Sequence, residues 1–191
     1  MSKIDPTPAV GSFDPEEWPN PCGGKVVKQL WHCGWPTADG YPGAYPDRFL
    51  GYCREFFPVW EPVCHLFSGT VDEGTTVDVN PNTDPDYQVD LINDEVPVED
   101  ESFAVVLADP PYTHKDYDAG DRHYQMPEVP RYSFKDELVR LTKPGGYAGV
   151  LHVMPYHKPE GMERWAMVGV TVGTTQVIRC LSVFRKPHES G

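Results

Sequence analysis

The chain has 191 residues, with 29 acidic and 16 basic side chains, a formal net charge of −13 and 39% apolar residues. That is enough apolar material for one domain, or a domain with an arm, and it excludes wholesale disorder. The acidity excludes a histone-like or polybasic nucleic-acid binder but leaves room for a local basic face, and the 21 prolines predict much loop and few long helices.

In chain order, residues 1–40 read as an irregular N-terminal arm rich in Pro, Gly and Trp, with one short strand at Val26 to Trp31. Residues 47–57 place Phe49, Leu50, Cys53, Phe56 and Phe57 at helical spacing, bracketed by Pro46 and Pro58. Short apolar runs follow: Val63 to Phe67, Thr75 to Val79, Tyr87 to Leu91, and the continuous FAVVLA run from Phe103 to Ala108, which predicts a strand buried on both faces. A helix over Phe134 to Thr142 puts Phe134, Leu138 and Leu141 on one face, and Lys143-Pro144-Gly145-Gly146 ends it. Tyr147 to Val153 reads as a strand. Ala166 to Val172 and Gln176 to Arg185 flank Gly173-Thr174-Thr175 as a hairpin. Residues 41–186 form the domain and 187–191 a tail. The order of elements predicts an α/β fold. Its first two crossovers are too short for helices, so the N-terminal arm or a second subunit in a homodimer is expected to cover that face of the sheet.

The five cysteines are odd in number, widely spaced and without a C-x-x-C pair. They fit reduced thiols in a cytoplasmic protein. The start lacks the apolar stretch of a signal peptide, and no apolar run approaches the roughly 20 residues of a membrane span. Cys22, His32 and Cys33 show no ligand pairs at zinc spacing, so no metal is expected. Charge is uneven: residues 71–121 carry a net −14, residues 1–70 a net −3, and residues 122–191 a net +4.

The strongest chemical signal is Asp109-Pro110-Pro111-Tyr112, directly after the FAVVLA run. Ligands bind beyond the carboxyl ends of strands in open α/β sheets, and the two prolines set the directions of the Asp109 and Pro110 carbonyls. Here the chain resembles the class I S-adenosylmethionine-dependent methyltransferases, and more narrowly the DNA amino-methyltransferases that carry D/N/S-PP-Y/F at this position. Val63-Cys64-His65-Leu66-Phe67-Ser68-Gly69-Thr70 resembles their D-x-F-x-G-x-G first-strand motif, with His65 where an acid is common and Val71 where a second glycine is expected. Tyr41-Pro42-Gly43-Ala44-Tyr45-Pro46, with Leu50, resembles their H-P-A-x-F-P-x-x-L element, with Tyr41 for His and Tyr45 for Phe.

The resemblance implies a Rossmann-like class I methyltransferase sheet, mostly parallel, with a C-terminal antiparallel hairpin and reduced crossover helices. It implies S-adenosyl-L-methionine as cofactor. Tyr45 and Pro46 would pack at its methionine end. Phe67, Ser68, Gly69 and Thr70 would let the backbone approach it. Asp78, beside Val79, would accept the ribose hydroxyls, and Asp90 the adenine amino group, with Leu91 against the ring. Asp109 and the Pro110 carbonyl would accept the hydrogens of an exocyclic amine, favouring its tetrahedral, nucleophilic form. Tyr112 would stack on a base turned out of the helix. Trp31, His32 and Trp35 read as packing of the arm, and the polar loop 113–133, with His114, Lys115, His123 and Tyr124, as a lid or substrate clamp.

The substrate implied is a DNA base, adenine N6 ahead of cytosine N4, bound weakly because no target-recognition domain is visible. An RNA base, a nucleotide or a small molecule is the alternative acceptor. A catalytically inactive binding module is the reading from a different class, favoured by the imperfect glycine motif.

Overall fold

A computed structural model describes residues 27–34, 45–111, 133–173 and 178–188. Eight strands form one sheet: β1 (Val27–Cys33), β2 (Val63–Leu66), β3 (Thr75–Asp78), β4 (Tyr87–Gln88), β5 (Phe103–Ala108), β6 (Thr142–His152), β7 (Glu163–Val172) and β8 (Ile178–Arg185). Their order is β1-β7-β8-β6-β5-β2-β3-β4. Pairs β1–β7, β2–β3, β2–β5, β3–β4 and β5–β6 are parallel, and β8 runs antiparallel between β6 and β7. Among the described residues there are two α-helices, α1 (Phe49–Phe56) and α2 (Lys135–Leu141).

The expected fold class is therefore corrected. The described residues do not form a Rossmann-like α/β methyltransferase sheet with many crossover helices, but a mixed eight-stranded sheet with one helix of eight residues and one of seven. The physical reason lies in the connections. Each residue of a strand rises about 3.3 Å, so the four residues of β2 span about 13 Å. The stretch 67–74 is long enough to run back that far without coiling into a helix. Gly74 marks the return: its φ is +65°, and a Cβ there would meet the Val63 Cγ1 at 2.5 Å. Between β3 and β4 there is only a 3-10 turn at Pro81–Thr83.

Two short helices, with side chains from strands and one loop, cover the faces of the sheet. On one face, α1 lays Phe49 and Cys53 on the sheet. Trp31 of β1 stacks on Tyr52 at 5.5 Å and meets Phe56 edge-on at 5.2 Å, while Trp165 of β7 lies 4.9 Å from Phe56 and 4.8 Å from Tyr147. Trp31, read as packing of an arm, is thus part of the core, His32 is exposed, Trp35 lies outside the described residues, and β1 is a strand of the sheet. On the other face, Phe134, Leu138 and Leu141 of the α2 segment pack with Leu91 and Val96 from the loop after β4.

Helix ends follow local chemistry. The Pro46 carbonyl accepts from the Phe49 N–H at 3.0 Å, and the Phe57 N–H closes the last turn of α1 on Cys53. In α2, Asp136 and Glu137 sit in the first turn and Arg140 in the last, which suits the helix dipole. Thr142 Oγ1 donates to the Leu138 carbonyl at 2.6 Å. The Lys143 to Gly146 segment lies inside β6 rather than ending at a turn. Pairing jumps from Phe103–Thr142 to Val105–Tyr147, so the segment bulges from the ladder.

No helix among the described residues is long and apolar enough to cross a membrane. The four described cysteines are thiols.

Candidate functional site at the carboxyl ends of the parallel strands

The strand order reverses direction at β2. From there the chain builds outward through β3 and β4, then returns to place β5 on the other side of β2. Because these strands are parallel, their carboxyl ends share one edge. Gly69 follows β2, Asp78 closes β3, Asp90 follows β4 and Asp109 follows β5. At about 4.8 Å per strand, the row from β5 to β4 covers about 14 Å. The three acids singled out in the sequence are brought together along one edge of the sheet.

Their local partners differ from the expectation. Asp78 is 7% exposed. Its Oδ2 accepts from the Gly69 N–H and its Oδ1 from the Asn80 N–H, both at 2.8 Å. The carboxylate therefore fixes the loop after β2 against the end of β3. Each oxygen keeps a second acceptor direction for a hydroxyl. Asp90 accepts from the Ile92 N–H at 3.1 Å and from Asn93 Nδ2 at 2.8 Å, which caps its own turn, with Leu91 buried beside it. Phe67 (φ 56°) and Gly69 (φ 54°) are both left-handed, and Ser68 N–H donates to the Val77 carbonyl at 3.1 Å. Thr70 is exposed, Val79 half-buried, and Pro46 and Pro110 buried. Tyr112, the 41–44 part of the proline-rich element, residues 113–132 and the chain before residue 27 lie outside the described residues.

Asp109 follows the tip of β5, between β2 and β6. Its N–H donates to the Leu66 carbonyl at 3.4 Å. Its Oδ2 lies 3.4 Å from Arg179 Nη1, with the carboxylate side chain 7% exposed and the guanidinium 25%. Sequence reading missed Arg179. It lies 70 positions away on a strand read only as half of a hairpin, and no motif marks it.

Beneath this row is a group of buried polar atoms. Tyr45 Oη, both ring nitrogens of His65 and Ser68 Oγ have no hydrogen-bond partner among the described residues. Tyr45 stacks on Phe49 at 4.9 Å and meets the His65 ring edge-on at 5.8 Å. Tyr45 and His65, two of the four positions that depart from the motifs resembled in the sequence, are therefore in contact. Burial, and then the Asp109 charge, push the Tyr45 phenol well above its usual range, so it is neutral. Burial, and then the Arg54 charge, lower His65 to about 4. Orphaned buried donors and acceptors each cost about 1–3 kcal/mol. A ligand group reaching Tyr45 and Ser68 would satisfy two of them, so these residues fit a polar cofactor end.

His65 has a consequence for acid stability. It stays neutral in the folded chain until about pH 4, whereas unfolded histidine takes up its proton near pH 6.5. The unfolded state thus binds the extra proton first, and stability falls as pH drops from about 6.5 to about 4. His65→Leu is expected to remove roughly 3 kcal/mol of that acid loss. Urea titrations of both chains at pH 7 and pH 4.5 measure it; equal acid losses in the two would exclude a buried neutral His65.

Among the described residues there is no group of three His, Cys, Asp or Glu side chains placed to hold a metal ion. No protein-family model matches the chain, and no curated protein matches it. Among solved structures, a chain from work on the conversion of a disulfide bond into a thioacetal group during echinomycin biosynthesis is similar, with a TM-score of 0.47 and 14% identity, over 82% of this chain and 87% of that one. At that level the likeness assigns neither fold nor activity.

Proposed function

We propose that the chain is an S-adenosylmethionine-dependent N-methyltransferase acting on an exocyclic amino nitrogen of a DNA base, adenine N6 first. One observation carries the reading: Asp78, Asp90 and Asp109 stand at the carboxyl ends of three parallel strands, on either side of the reversal between β2 and β5. Ligands bind at such an edge in open parallel sheets. The orphaned Tyr45 and Ser68 hydroxyls below it add support.

When bound, the cofactor supplies an electrophilic methyl group. The chain's own residues position and polarise. Asp78 holds the Gly69 loop so that its backbone faces the ligand. The turn capped by Asp90 presents Leu91 as an apolar wall. Asp109, 3.4 Å from Arg179, would accept hydrogen bonds from the amine, which draws the nitrogen toward tetrahedral geometry and aims its lone pair. Such catalysis is mostly orientation and electrostatics.

Calorimetry with S-adenosylhomocysteine at micromolar concentration is expected to show one site per chain; no binding defeats the reading. Transfer of a labelled methyl group to duplex DNA, single-stranded DNA, RNA and nucleotides then identifies the acceptor. The net charge of −13 opposes tight binding to a polyanion, and transfer to RNA or a small molecule alone would replace the DNA assignment. Binding without transfer to any acceptor would mark a binding module.

A further inference from the structure

We infer that Arg179 is a positioning residue for Asp109, keeping its carboxylate ionised at the strand edge; this rests on the proposed role of Asp109 as acceptor for the amine. The geometry is specific. In the β6–β8 ladder the last pair is His152–Cys180, so Arg179 stands one residue beyond the end of β6. From there its side chain crosses the gap at the tip of β6 and meets Asp109 beyond the tip of β5, with Nη1 3.4 Å from Oδ2. At that separation the contact is at the outer limit of a hydrogen bond, so its effect is chiefly that of a charge.

That charge matters because the Asp109 side chain is only 7% exposed. A carboxylate so far out of water drifts toward its neutral form unless a cation opposes the drift. The protonated form would turn an O–H donor toward an amine that needs an acceptor. Two titratable groups on neighbouring elements carry no charge at neutral pH. Tyr45, from the segment before α1, is a neutral phenol, and His65 of β2 is neutral above about pH 4. The contact from β2 itself is the Leu66 carbonyl on the Asp109 N–H, which carries no charge.

The test is a carbon-13 titration of the Asp109 carboxyl in the full chain, compared with Arg179→Met and Arg179→Lys. In R179M the carboxyl is expected to titrate at least about one pH unit higher, and R179K is expected to restore most of the difference. The acid limb of kcat should move with it, while affinity for S-adenosylhomocysteine stays unchanged. Thermal melts confirm that both variants fold, and the lysine variant keeps the test valid if the methionine variant does not. An unchanged titration in R179M, or a lysine variant that behaves like methionine, overturns the inference. A shifted titration in a chain that transfers no methyl group would instead sustain the electrostatic hold of Arg179 and defeat the acceptor role of Asp109.

Discussion

Asp109→Ala is expected to lower methyl transfer by at least about a hundredfold, the scale on which loss of one preorganised polar contact to a reacting group acts. The variant should still fold and bind S-adenosylhomocysteine. Asp109 follows β5, the strand is held by ladders to β2 and β6, and the backbone bond from the Asp109 N–H to Leu66 does not use the side chain. Arg179, a quarter exposed, can turn to water when its partner is removed. Asp109→Asn separates shape from charge. The amide keeps an acceptor oxygen but also presents two donors, so partial transfer is expected. Single-turnover transfer of a labelled methyl group, with circular dichroism as the control for folding, measures both variants. Undiminished turnover in the alanine variant would remove Asp109 from the chemistry and with it the proposed function.

The largest effect on stability is expected at Arg140, which no functional motif touches. All five of its N–H donors are engaged. Nε and Nη2 grip Glu137 at 2.8 and 2.7 Å; Nη1 meets Asp100 Oδ1 at 2.8 Å and the Val98 carbonyl at 2.9 Å; Nη2 also meets the Val96 carbonyl at 2.8 Å. Hydrogen bonds to Glu137 lead the causes that raise the guanidinium above its usual range, so it stays charged. Glu137 is 8% exposed and also accepts from the Val96 N–H at 2.8 Å. Arg140→Met would leave that carboxylate buried without a cation and two carbonyls without donors. Removing one partner of such a pair costs about 3–5 kcal/mol, a large share of the roughly 5–15 kcal/mol that holds a domain together. Arg140→Lys keeps the charge but not the fork and should fall between. Urea midpoints decide, and a loss below about 1 kcal/mol, as for an exposed pair, would count against the network. The effect reaches the site, because the 96–100 stretch tied to α2 follows directly on the Asp90-Leu91 turn. A loosened wall should also weaken binding of S-adenosylhomocysteine.

Much of the local structure was legible because its causes are local. The FAVVLA run is β5 to the residue, since continuous apolar sequence of that length is what a strand buried on both faces requires. Phe49 and Cys53, and Phe134, Leu138 and Leu141, are buried as their spacing predicts. The hairpin partners β7 and β8 pair antiparallel. Other features depend on contacts distant in sequence. β4 is only two residues long, although five were expected, because Asp90 turns the chain with its own carboxylate. The strand read into the N-terminal arm becomes an edge of the sheet, because β7, some 140 positions later, offers it a ladder.

Composition and motif order by themselves determined where apolar strands lie, where the chain turns, and which acids follow strands, because apolar period, proline and glycine act within a few residues. They also located the acidity, most of it between Val71 and Asp121, in the stretch that supplies Asp78, Asp90 and Asp109. Tertiary structure alone decided the fold class, which is a mixed sheet covered by two short helices, aromatic side chains and loops. It alone set Arg179 against Asp109 and joined Tyr45 to His65. Short connections permit parallel pairing with or without helices. Which side chains then fill the faces, and which charges meet at the strand ends, depends on packing between segments that no local pattern connects.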